Sequence, residues 1–170
     1  MSTIPSSIEV LLDKYETIFY EVNQKTLPKR VYPGTSQLVF EYNEISTAIQ
    51  ADQFFERFGV GNATDSLHNP FERHLAYELL LLILRSIDPV QYDKIHKGTP
   101  YYFIGWTTYQ YFNFGKAIFY MDAAVSEDLK FPEVQSKIST RLSLDFFLLK
   151  SNPGLPGFAT HIALIDIVDK

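Results

Sequence analysis

The chain has 170 residues, of which 46% are hydrophobic and 21% charged, which is the composition of an ordinary globular protein with one sizeable core. Its net charge of −5, with no basic cluster longer than Lys29-Arg30, argues against nucleic acid and anionic membranes as partners. The absence of cysteine excludes disulfides, thiolate metal ligands and a cysteine nucleophile, and fits a cytoplasmic location.

The beginning of the chain and its most apolar run predict neither export nor a membrane span. The stretch MSTIPSSIEVLLDKYE lacks the basic and long apolar regions of a signal peptide. The run from Leu79 to Leu84 is far shorter than the roughly 18 residues that cross a bilayer. We therefore expect a single helical domain over residues 1–170, located in the cytoplasm.

The first predicted helix begins at Ser6, which stands three residues before Glu9 as in a capping box. Apolar residues then recur on one side and charged residues on the other, which is typical of an amphipathic helix. Leu27-Pro28 ends the helix, because the residue before a proline avoids helical geometry. The predicted apolar stripe contains Ile8, Leu11, Leu12, Tyr15, Ile18, Phe19 and Val22.

The segment between Pro28 and Pro70 has the least certain pattern. Residues 36–50 are compatible with a strand or a helix, and we favour a helix because apolar residues continue there at helical spacing. The stretch from Ala51 to Phe58 then places phenylalanines on one face before Gly59. The spaced apolar residues are Leu38, Tyr42, Ile45 and Ile49.

Three capping residues followed by proline mark further helix starts, at Asn69-Pro70, Asp88-Pro89 and Thr99-Pro100. The helix from Pro70 is apolar nearly all round between Leu79 and Leu84, which predicts a central, buried helix. The second of these helices is expected to end at Lys97-Gly98. Tight connections between successive helices predict an all-α antiparallel array or bundle of about six to seven helices.

The stretch Thr99 to Leu129 predicts a helical hairpin, broken at Asn113-Phe114-Gly115. Two small residues, Gly105 and Ala124, lie twelve residues before and seven residues after Ala117. Small residues at these positions let two helices approach closely, with bulky side chains between them. Tyr101, Ile104 and Met121 occupy the intervening positions.

Over residues 99–130 this arrangement resembles a tetratricopeptide repeat, the helical hairpin of roughly 34 residues. The resemblance implies a helix pair that crosses at small side chains and a protein built to bind other proteins. We therefore favour a docking module, a regulatory or scaffolding part of a larger protein or complex, with a protein or peptide partner.

The hairpin carries more aromatic residues than one core can enclose. We expect Tyr101, Ile104, Tyr111, Ala117 and Met121 to pack internally. The alternative is that all the aromatic residues are shared between the hairpin and neighbouring helices. The predicted partner-binding patch, facing outward or into a groove, consists of Tyr102, Trp106, Tyr109, Lys116 and Tyr120.

The sequence shows no catalytic, metal or cofactor signature, so we assign none. His74 and Glu78 lie four residues apart, which we interpret as a polar pair on the solvent side of their helix rather than half a metal site. His96 is explained by its place near a helix C-terminus. His68 lies beside a predicted helix start, and we expect a surface or capping role for His161.

An enzyme or ligand-sensing domain with its site in an aromatic groove is the alternative function. A small helical nuclease of the HEPN type would need an arginine followed by a polar residue, with a histidine about four to six positions after the arginine. Arg73 and His74 are adjacent instead, so the sequence favours a protein that is not an enzyme.

The final part of the chain is predicted to hold a further helix from Pro132 and a dense apolar segment, Phe158 to Lys170. That segment either docks on the helices or belongs to an N-terminal domain of a longer protein. In the second case we expect self-association through it.

Overall fold

The computed structural model describes residues 6–23, 30–60 and 70–134. Within these ranges the chain is all-α, with seven α-helices, one 3₁₀ turn and no strand, so the all-α part of the predicted fold class is confirmed. The chain divides into two compact units, Met1–Ile95 and His96–Lys170. The prediction of a single domain stays a prediction.

The first unit contains α1 (Ser6–Asn23), α2 (Thr35–Asn43), α3 (Ala48–Phe58), α4 (Pro70–Ile87) and α5 (Pro89–Lys94). The second contains α6 (Gly98–Gln110), α7 (Phe114–Leu129) and a 3₁₀ turn at Pro132–Val134. None of the helices in the described ranges is long and apolar enough to cross a membrane. The predicted ends at Leu27-Pro28 and Asn69, the rest of the helix expected from Pro132, and the segment Phe158 to Lys170 lie outside the described residues.

Helices α1 and α4 pack against each other in the first unit. The amphipathic prediction for α1 is confirmed, because its stripe is buried except for the half-buried Leu11. Helix α4 is buried around most of its circumference, but Leu82 is exposed. The central, buried helix that the apolar run predicts therefore keeps one strip in solvent.

Residues 36–43 and 48–50 are helical rather than strand, as favoured, but they belong to two helices separated by the connection at residues 44–47. Thr47 ends the connection as the N-cap of α3, and its hydroxyl accepts a hydrogen bond from the Gln50 amide at 3.1 Å. The Gln50 side chain accepts in return from the Thr47 amide at 3.2 Å. This capping box is readable in the sequence as Thr47-x-x-Gln50. It turns the chain so that Ile49 is exposed.

Arg30 binds the backbone at the C-terminal end of α3. Its guanidinium donates to the carbonyl oxygens of Gly59 at 2.7 Å and Arg57 at 2.8 Å, and also to that of Glu56. Carbonyls at a helix C-terminus lack partners within the helix, and a cation there meets the negative end of the helix dipole. The guanidinium also lies 5.6 Å from the centre of the Phe19 ring.

The same end of α3 is held by buried tyrosines. Tyr15 donates its hydroxyl hydrogen to the Phe58 carbonyl, and its ring contacts Tyr32. Tyr77 of α4 packs against the backbone at Gly59. Burial raises the pKa of Tyr15 and of Tyr77 well above the ordinary value of 10.0.

The boundaries of α5 and α6 are predicted only in part. Asp88 caps α5 by accepting from the Gln91 amide at 3.1 Å, and Pro89 is the first helical residue, as predicted. The predicted end of α5 at Lys97-Gly98 is wrong, since the helix ends at Lys94. The predicted cap at Thr99 is also wrong, because α6 begins at Gly98 after an N-cap residue whose side chain makes no capping bond.

Helices α6 and α7 form a closely packed hairpin in the second unit. A Cβ atom on Gly105 would lie 3.2 Å from the Ala117 carbonyl oxygen and 3.1 Å from the terminal methyl of Met121. The two backbones thus approach each other at Gly105. Ile104, Ala117 and Met121 are buried as expected, whereas Tyr101 and Tyr111 are half-buried.

Candidate functional site: the aromatic turn of the hairpin

The turn between α6 and α7 is a Schellman motif. The Asn113 amide donates to the Thr108 carbonyl at 2.9 Å, and the Phe112 amide donates to the Tyr109 carbonyl at 3.0 Å. These two bonds end α6, and the Asn113 side chain then begins α7 by accepting from the Lys116 amide at 3.3 Å. The predicted break at Asn113-Phe114-Gly115 is therefore wrong, because Phe114 and Gly115 already belong to α7.

Phe112 occupies the position that a Schellman motif usually gives to glycine. Its φ angle is 69°, which makes it the non-glycine residue with a positive φ in the part of the chain that the structure describes. The left-handed conformation costs a residue with a Cβ atom about 1 to 2 kcal/mol. The Phe112 ring is 79% exposed, so burial of the ring does not offset this cost.

Phe112 is the outer end of a chain of contacting rings. Trp106 stacks on Tyr109 with their ring centres 5.5 Å apart, and Tyr109 contacts Phe114 at 5.8 Å. Phe114 in turn contacts Phe112 at 6.2 Å. We call these four residues the turn cluster. Its inner members are half-buried, so it presents a supported aromatic surface at the end of the hairpin.

A second group of rings lies elsewhere on the hairpin. Tyr120 contacts Tyr101 across the two helices, at 6.0 Å, and Phe119 at 5.3 Å. Phe119 is 68% exposed. Tyr101 and Tyr109 lie on either side of Gly105, which faces α7, because each helical residue rotates by about 100°. The two groups of rings therefore lie on opposite edges of the helix interface.

The five residues of the predicted patch are divided between these places. Trp106 and Tyr109 lie in the turn cluster, and Tyr120 lies in the second group. Tyr102 contacts the neighbouring Phe103 ring at 6.0 Å, and Lys116 is half-buried on α7. The sequence pattern did not mark Phe112 or Phe119 as exposed, although Asn113, as the N-cap of α7, indicates that Phe112 lies in the turn before that helix. That the patch binds a partner stays a prediction.

The second unit also contains two buried pairs of a basic side chain with a carboxylate. His96 Nε2 lies 2.7 Å from Asp128 Oδ1, and Lys97 Nζ lies 3.3 Å from Glu127 Oε1. The His96 ring packs on Phe131, with ring centres 5.0 Å apart. These pairs join the segment before α6 to the last turn of α7. The placement of His96 at a helix C-terminus is therefore wrong, and its carboxylate partner explains its position instead.

The remaining polar candidates are the pair of His74 with Glu78 and the histidines His68 and His161. His74 Nε2 lies 3.1 Å from Glu78 Oε1, so the predicted pair exists. Its predicted solvent-side location is wrong, because His74 is buried. Within the described ranges, no group of three or more histidine and acidic side chains could hold a metal ion. His68 and His161 lie outside those ranges.

No family model, curated protein or solved structure matches this chain. The resemblance of residues 99–130 to a tetratricopeptide repeat accordingly stays a prediction. Function has to be inferred from the residues and contacts of the chain itself, among which the exposed aromatic turn is the most unusual.

Proposed function

We propose that this chain is a helical docking module that binds a protein or peptide partner through the turn cluster of the α6–α7 hairpin. The observation that supports this most strongly is the strained and exposed Phe112. Backbone strain persists where the surroundings enforce it, and it is concentrated at functional sites. A glycine or asparagine at this position would relieve the strain, so we attribute the phenylalanine to binding rather than to stability.

The chemistry of the turn cluster suits a protein interface. Aromatic residues are enriched in interfaces and supply much of the binding energy at their centres. Trp106, Tyr109 and Phe114 contact one another before any partner arrives, so little side-chain freedom remains to be lost on binding. An open aromatic surface favours docking over the alternative of an enclosed enzyme or sensor site.

We further propose that the hairpin is of the tetratricopeptide type and acts in a regulatory or scaffolding assembly in the cytoplasm. The close approach of Gly105 to Ala117 and Met121 supports the first part, since that repeat crosses its helices at small residues. The acidic net charge and the absence of cysteine support a protein partner in a reducing compartment.

Site-specific photo-crosslinking in the cells that naturally make the protein tests the docking proposal. A photoreactive phenylalanine analogue replaces Phe112 in one variant and Phe71, an exposed residue of α4, in the control. We expect a discrete protein adduct from position 112 and none from position 71. Equal adducts from both positions, or none from position 112, would contradict the proposal.

The partner identified by cross-linking is then purified. Its binding affinity and the unfolding free energy of the chain are measured separately for each variant. We expect Phe112→Gly to weaken binding by roughly tenfold or more, because the ring is lost from the interface. The same change should raise the unfolding free energy by about 0.5 to 1 kcal/mol. Glycine adopts the left-handed conformation without strain, and the greater conformational entropy of glycine in the unfolded chain offsets part of this gain. Calorimetry and urea denaturation measure the two effects. Phe112→Ala, which removes the ring and keeps the strain, should weaken binding without the gain in stability.

A further inference from the structure

A groove of about 320 Å³ lies between α2 and α3 in the first unit. Its volume is at the lower end of the range for sites that bind a small molecule or a side chain. One part of the lining is apolar and the other carries charged and amide groups. The lining residues are Phe40, Glu41, Glu44, Ile45, Gln50, Gln53, Phe54 and Arg57.

Two acidic residues of this groove lie where the helix dipole disfavours negative charge. Glu41 lies in the last turn of α2 and Glu44 is its C-cap, although the C-terminal end of a helix carries partial negative charge and favours cations. The last turn of α2 contains no basic residue. Arg57 of α3 compensates one carboxylate, with its Nε 3.4 Å from Glu41 Oε2. The groove therefore keeps one net negative charge.

Glu44 supplies that uncompensated charge. Its carboxylate makes no hydrogen bond or ion pair with the part of the chain that the structure describes, and it is exposed. The amide of Gln53 on the facing helix is likewise exposed and makes no hydrogen bond within the same ranges. By contrast, the Gln50 side chain is engaged by the amides of Ser46 and Thr47. Two polar groups of the groove are thus available to a ligand.

Phe40 provides the aromatic wall of the groove. Its side chain is 61% exposed although it lies on a helix whose Leu38 and Tyr42 are buried. A cation over an aromatic ring is attracted to the ring face, and a guanidinium can stack on the ring while its N–H groups bind a carboxylate in the same plane. An ammonium group lacks this planar geometry.

We propose that the groove between α2 and α3 binds an arginine side chain of a partner peptide. The guanidinium stacks on Phe40, donates to the carboxylate of Glu44 and places a further N–H against the side-chain oxygen of Gln53. This interaction is independent of the turn cluster, because every residue of the groove lies in the first unit.

The experiment is an NMR titration of the full chain with the blocked tripeptide Gly-Arg-Gly and with its citrulline counterpart, which keeps the shape and removes the charge. We expect saturable shifts of the backbone amide signals of α2 and α3 with the arginine peptide and none with the citrulline peptide. A lysine tripeptide should bind more weakly than the arginine peptide. Equal binding of citrulline or of lysine, or an absence of saturable shifts at the groove, would overturn the proposal.

Two variants assign the interaction to its residues. Glu44→Gln should weaken arginine binding by roughly tenfold, because a hydrogen bond to a charged group is lost. Glu9→Gln removes the same charge from an exposed position of α1 and should leave binding unchanged. Phe40→Leu keeps an apolar wall without the ring and should weaken binding several-fold. Wild-type affinity in Glu44→Gln would show that the groove does not bind the guanidinium as proposed.

Discussion

Single residues set the geometry of this protein where the backbone comes close to another group. Gly59 ends α3 beside the Tyr77 hydroxyl and the Phe55 carbonyl, and a Cβ atom at Gly59 would collide with both. Gly115, on the first turn of α7, has no atom within 4 Å of the corresponding position. The need for glycine at residue 59 therefore comes from packing, since its φ of −83° suits any residue.

Gly59→Ala should lower the unfolding free energy by about 1 to 3 kcal/mol, because the Tyr77 ring or the end of α3 must move to admit the methyl group. Gly115→Ala is the matched control, and it should be neutral or slightly stabilising because alanine favours helix. Urea denaturation of both variants measures the difference. Equal effects at the two positions would show that the close contact at Gly59 carries no strain.

At the scale of elements, the α6–α7 hairpin depends on a narrow strip of small side chains. Gly105 lets the two backbones approach, and Ala117 is fully buried opposite it. The buried pairs of His96 with Asp128 and of Lys97 with Glu127 join the other end of the hairpin. Burial makes such pairs costly to break but weak in net stabilisation. A substitution at the close contact between α6 and α7 therefore tests the stability of the hairpin better than one in these pairs.

Ala117→Leu should cost about 1 to 3 kcal/mol of unfolding free energy, because a larger side chain forces α6 and α7 apart. Ser126→Leu places the same side chain at an exposed position of α7 and should change stability far less. Urea unfolding of the two variants provides the comparison. An unchanged unfolding free energy in Ala117→Leu would mean that α6 and α7 can move apart without loss of stability.

At the scale of the whole molecule, buried tyrosines link stability to alkaline pH. Burial raises the pKa of Tyr15, Tyr42 and Tyr77 above their ordinary value of 10.0. The folded state therefore holds the phenolic protons more tightly than the unfolded state does. Their contribution to stability is complete below pH 10 and is lost as the pH rises above it.

We expect the unfolding free energy to fall steeply above pH 10 as helical circular dichroism is lost. Tyr77→Phe cannot ionise at that position, so its stability should fall less steeply with pH. The difference in tyrosinate absorbance between wild type and Tyr77→Phe isolates the Tyr77 hydroxyl and should appear only as helicity is lost. A difference that appears in the folded protein would show that this hydroxyl is accessible.

Features that depend on neighbouring residues could be predicted from the amino-acid sequence. Spacing, proline chemistry and caps within a few positions predict the apolar stripe of α1, the starts at Pro70 and Pro89 and the choice of helix over strand at residues 36–43 and 48–50. The capping box at Thr47 was equally local, and the prediction of one continuous helix there overlooked it. The ends of helices were less predictable, because a helix can end in several ways once its apolar pattern weakens.

The tertiary structure decided the features that join distant residues. Arg30 reaches the carbonyls of α3 across 27 and 29 positions, and His96 meets Asp128 across 32. No local pattern encodes these partners, because their proximity depends on how the helices pack. The predicted aromatic patch shows the same limit, since Trp106 and Tyr120 were predicted to share one patch, whereas their ring contacts, with Tyr109 and with Tyr101, belong to separate groups. The strain at Phe112 likewise could not be predicted from the sequence, because it depends on the geometry of the turn between α6 and α7.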